Sequence, residues 1–169
     1  MDKIEEWQEH RTKIPSGRYT LRCLKAHKGE IWYKGRGGWG QTSKAILWFE
    51  VMDGEHCGKV LPMFLPIRGK GPIPQGSHYF TFWCVANGLR HPERARLKEM
   101  PLSKFVGKVF DAEVVDVKPK WNNGLEQPAF FHYSRVDLLS VLSPPKDGPA
   151  PHRNVDPLID FWWTEGSPV

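Results

Sequence analysis

The sequence predicts a mainly β domain of five strands that curl into a small barrel, with one helix between the third and fourth strands. Three observations carry this. Two-residue alternation with one consistently apolar face runs through residues 18–25 and again through 44–52. Turn dipeptides, Asp53-Gly54 and Asn123-Gly124, sit between alternating runs at hairpin positions. The one stretch with helix punctuation, Ser77 to Ala86, has a serine to cap it and Asn87-Gly88 to stop it.

Residues 1–13 read as a polar lead-in with room for a short helix, and Ile14-Pro-Ser-Gly17 as a turn. In the first strand Tyr19, Leu21 and Cys23 take one face and Arg18, Thr20 and Arg22 the other. Lys28 to Ser43 reads as a loop rich in glycine, cations and aromatics. Strand two, Lys44 to Met52, sets Ala45, Leu47, Phe49 and Val51 against Lys44, Ile46, Trp48 and Glu50. Strand three spans Lys59 to Ile67. Pro62 and Pro66 give it an exposed edge or bulges, because proline donates nothing to a ladder. Arg68 to Gly76 is a loop. The aromatic content of Tyr79 to Val85 would also suit a strand. Val109 to Val117 is strand four, and Ala129 to Val136 is strand five, continuing to Leu142. After Ser143 come Pro144, Pro145, Pro149 and Pro151, an extended Pro-rich tail. The expected organisation is a lead-in (1–13), one domain (14–142) and a tail (143–169).

The chain of 169 residues, 40% hydrophobic and 25% charged, has the composition of a soluble globular protein. It has no apolar run long enough to span a bilayer and a charged start unlike a signal peptide, so no membrane role is expected. Three cysteines without a Cys-x-x-Cys pair fit a reducing cytoplasm. Net charge is +5, but unevenly spread. Arg11, Lys13, Arg18, Arg22, Lys25, Lys28, Lys34, Arg36 and Lys44 meet only Glu30 in their stretch, whereas Asp156, Asp160 and Glu165 lie in an end segment without cations. A basic front half points to a polyanion.

Five strands, a helix between strands three and four, and long loops after strands one and four are the plan of an OB-fold, which binds oligonucleotides across strands two and three and their flanking loops. Ile14-Pro-Ser-Gly-x-Tyr19, Asp53-Gly-x-x-x-Gly58-Lys, Gly107-Lys-x-Phe110 and Tyr133-Ser-x-Val136, in that order, resemble phage- and mobile-element-type OB-fold single-stranded-DNA-binding proteins over residues 14–142. The resemblance implies work in replication or recombination. The chain departs from that family in the tryptophan content of its first loop and in a tail ending Gly-Ser-Pro-Val.

Aromatic rings stack on bases while neighbouring cations hold phosphates. Trp32, Tyr33 and Trp39 are the first stacking candidates, with Lys34 and Arg36 beside them; the competing reading has a tryptophan plugging the barrel end. Trp48 and Phe64 would floor the groove, with Lys44, Arg18 and Arg22 as backbone contacts. Lys120 and Trp121 would form the second lip. His132 and Arg135 are weaker candidates. Phe161, Trp162 and Trp163 can dock a replication or recombination partner, pack on another copy of the chain, or cover the domain's own core, and the acidic tail that holds them can also lie in the basic groove and compete with nucleic acid.

Catalysis has little support. Asp116-Val-Lys118 matches a short nuclease signature, but alternation separates Asp116 from Asp111 and Glu113. No zinc spacing, Walker loop or nucleophile elbow is present, so neither enzyme activity, metal nor cofactor is expected. The expectation is sequence-independent single-stranded DNA binding, RNA remaining open. The alternative is an OB-fold adaptor gripping a replication or recombination protein.

Overall fold

The computed structural model describes residues 2–67 and 71–142, with the backbone alone for residues 31–35. The chain is mainly β. Five strands, β1 (Gly17–Gly35), β2 (Gly38–Val51), β3 (Val60–Pro66), β4 (Val109–Val117) and β5 (Tyr133–Ser140), form one antiparallel sheet in the order β3-β2-β1-β4-β5. Two α-helices accompany it, α1 (Lys3–His10) and α2 (His78–Ala86), the latter between β3 and β4 in the chain.

The alternation of β2 is realised directly. Ala45, Leu47, Phe49 and Val51 are buried in the main core with Leu21 and Cys23 of β1, Leu61, Met63 and Leu65 of β3, and Phe110, Ala112 and Val114 of β4. Helix α2 supplies Tyr79, Phe80, Phe82 and Trp83 to the same core. Its start is fixed by Ser77, whose hydroxyl accepts from the Phe80 amide at 3.2 Å. Tyr79 is fully buried and donates its hydroxyl to the Met100 carbonyl at 2.6 Å.

The expected loop over Lys28–Ser43 is instead a long hairpin. Strands β1 and β2 stay paired to Gly35↔Gly38, and only Arg36 and Gly37 form the turn. Glycine content argued for a loop, but the cross-strand ladder satisfies the backbone there. A Cβ on Gly29 would fall 2.7 Å from Ile46 Cδ1, so a larger residue there would make the end of that side chain shift.

A bulge at Leu24 interrupts β1, with Cys23 opposite Phe49 and Lys25 opposite Trp48. Parity therefore shifts. Ala26 packs against the main core, while Leu24 and Lys25 belong to the outer side with Trp48.

The sheet is not a closed barrel. Strands β3 and β5 approach without a shared ladder, and the N-terminal segment enters the seam. The Ser134 amide donates to the Thr12 carbonyl at 3.0 Å, and the Ser134 hydroxyl bonds both the Ile14 amide and carbonyl. The lead-in, for which a short helix was one reading, thus holds a helix docked on the sheet. Its capping box pairs the Asp2 side chain with the helix amides and Glu5 with the Asp2 amide.

Candidate nucleic-acid interface

Helix α1 lies on the outer face of the sheet. Trp7 meets Trp48 edge-on at 5.0 Å and Tyr133 at 5.7 Å, and Ile4 and Val60 complete a small second core. Lys3 is bonded to Glu50, which Arg22 also approaches at 3.5 Å. The Lys3 hydrogen bond is the main reason the Glu50 carboxyl sits below its ordinary range; burial opposes it and Arg22 adds to it.

This packing corrects the expected role of Trp48. The residue does point away from Leu47 and Phe49, but it is only 3% exposed beneath α1. Neither the Trp48 nor the Trp7 indole N–H has a partner among the described residues. A base cannot reach the Trp48 ring while α1 is in place.

Past the helix, the outer face stays accessible. Register sets Lys25, Trp48 and Pro62 abreast, then His27, Ile46 and Phe64, then Gly29, Lys44 and Pro66. Phe64, Ile46 and His27 are half-buried, giving a low apolar floor with Lys25 and Lys44 at its border. Burial first, and the Lys25 charge second, hold His27 below the ordinary imidazole value, so the ring is neutral near pH 7.

The cations expected on β1 are engaged. Arg18 lies 3.6 Å from Asp111, and Arg22 is committed to Glu50. By contrast Lys25, Arg36, Lys44 and Lys120 form no ion pair among the described residues. At the hairpin end Arg36 is exposed and Trp39 is 71% exposed. Alternation places Trp39 on the side that continues Ala45 and Leu47, opposite Lys44. The side chains of Trp32, Tyr33 and Lys34 lie outside the described residues, as do Phe161, Trp162 and Trp163.

The second expected lip is the β4–β5 loop. Trp121 is 51% exposed, next to exposed Lys120, and a tight turn holds it: the Trp121 amide donates to the Leu125 carbonyl at 2.8 Å, and the Gly124 amide returns to the Trp121 carbonyl at 2.9 Å. Two rings missed in the sequence extend it. Phe131 meets Trp121 edge-on at 6.3 Å, and Phe130, 78% exposed, meets Phe131 at 5.5 Å. Both were assigned to strand five. The chain instead makes a 3-10 turn over Ala129–Phe131 and enters β5 only at Tyr133. Pro128 ahead of them was the available sign of a break. His132 is buried and bonded to the Gln127 carbonyl, and Arg135 lies 3.5 Å from Asp137, so neither offers a free contact.

Among the described residues no group of three His, Cys, Asp or Glu side chains is placed to hold a metal ion, and no helix is long and apolar enough to cross a membrane. No family model, curated protein or solved structure matches the chain.

Proposed function

We propose that the protein is an OB-fold module that binds single-stranded DNA without sequence preference, in replication or recombination, and that it acts without catalysis. The observation that carries this reading is the exposure of Trp39, Trp121 and Phe130, with Arg36 three positions before Trp39 and Lys120 next to Trp121 in the chain, both cations without an ion pair among the described residues. Large rings left in water with cations at their side suit bases and phosphates. The strand order, with β3 drawn towards β5, and the half-buried Phe64 between Lys25 and Lys44 support an OB-type surface.

A base stacked on an aromatic ring is worth about 1–3 kcal/mol, so Trp39→Ala with Trp121→Ala is expected to weaken oligo-dT binding at least tenfold. Both rings are solvent-facing, so the fold is expected to survive. Titration of labelled dT, rU and duplex oligomers, followed by anisotropy, reads the affinity and the preference together. Wild-type affinity in the double variant overturns the reading. Negligible oligonucleotide binding by the native protein, with tight capture of a replication or recombination protein, assigns it to the adaptor class instead.

A further inference from the structure

Helix α1 has an open groove on each side, and neither belongs to the sheet face described above. The first, about 550 Å³, runs between α1 and the β2–β3 turn and includes Arg11, Lys13 and Lys59. The second, about 410 Å³, runs between the end of α1 and the 3-10 turn, and includes Arg11 and Lys13 with Phe130 and Phe131. His10, Arg11 and Lys13 line both, so this short stretch of chain is all that separates the two grooves.

Their charge is one-sided. Lys13 and Lys59 are exposed and form no ion pair among the described residues. Arg11 is held in place without being neutralised: its guanidinium lies 5.3 Å from the centre of the Tyr133 ring and donates to the Phe131 carbonyl at 3.4 Å. Opposing them are Glu6 in the first groove and Glu9 in the second, the latter 3.9 Å from His10. The aromatic series Trp121, Phe131, Phe130 leads from the β4–β5 loop into the second groove.

We propose that these grooves form a track for the sugar–phosphate backbone, which takes a single strand from the β4–β5 aromatics across His10–Lys13 to Lys59. This rests on the single-strand reading above and extends it to a surface outside the OB-type face. The occupant is argued from charge complementarity and from the rings that border the cations, the pairing that suits an unpaired strand. The helix that shields Trp48 thereby becomes part of the binding surface.

The test compares oligo-dT of about 6 and about 16 nucleotides, the span of single-strand sites on such folds. Each phosphate contact adds about 0.7 to the slope of log affinity against log salt. The native protein is expected to show a steeper slope with the longer oligomer. Lys13→Glu with Lys59→Glu is expected to lower the longer oligomer's slope by about 1.4, two contacts' worth, and to leave the shorter one's unchanged. Phe130→Ala, at a solvent-facing ring, is expected to weaken the longer oligomer more than the shorter one. Lys104→Glu, on a lysine that lines neither groove, shows what one such charge reversal does elsewhere on the surface. An unchanged slope in the double variant, an equal loss at both lengths, or the same loss from Lys104→Glu overturns the track. Failure of the native protein to bind either oligomer overturns the single-strand reading itself.

Discussion

Trp7→Ala is the most informative perturbation of this fold. The ring is 8% exposed and is the main contact of α1 with the sheet, through Trp48 and Tyr133. Truncating a buried tryptophan to alanine costs about 3–5 kcal/mol. Against that, the Trp7 indole N–H is buried without a partner among the described residues, and its removal relieves about 1–3 kcal/mol. The net expectation is a loss of about 2 kcal/mol. An eight-residue helix does not persist on its own, so the loss falls first on α1. Amide hydrogen exchange is the assay of choice. Protection in the last turn of α1 is expected to vanish, while amides of β2 and β4 keep most of theirs. Trp48 then meets water, and its emission moves to longer wavelength. Retained protection of α1 with a stability change under about 0.5 kcal/mol would refute the claim that this one ring holds the helix.

Two further outcomes follow from buried and paired groups. Tyr79→Phe removes a buried hydroxyl that donates to the Met100 carbonyl and is expected to cost about 1–2 kcal/mol, read as a lower urea midpoint at unchanged slope. Glu50 is depressed when folded, so its contribution is complete above the ordinary glutamate range and is lost as pH falls through the lower folded value. Thermal melts across that acidic range should show this loss in the native protein and not in Glu50→Gln; identical pH profiles would refute it.

The sheet was legible where side chains alternate between core and water. The parity of Ala45 to Val51 could be read directly, because burial follows the two-residue period. The hairpin was not legible. Gly29, Gly35, Gly38 and Gly40 look like loop residues when only local preference is weighed, yet they lie in a ladder whose partner strand supplies the order. Trp48 shows a different failure. Its face was assigned correctly, but what covers that face is a helix more than thirty positions away in the sequence. The Asp2–Glu5 capping box was the available signal for that helix, and Trp7 three positions after Ile4 the signal for its buried stripe. Phe130 and Phe131 were lost to an apolar run that looked like strand.

The seam between β3 and β5 has a consequence for biosynthesis. Thr12 and Ile14 close on Ser134, a partner made some 120 residues later. Until that serine leaves the ribosome, α1 can rest on Trp48 and Val60, but Thr12 and Ile14 lack their partner and β4 lacks its outer neighbour. Closure is thus among the last events of folding, because so long a loop must be drawn shut before its contacts can repay it. A chain stopped short of β5 would carry an open edge that invites pairing with its neighbours, and its fate would be aggregation rather than a smaller working domain.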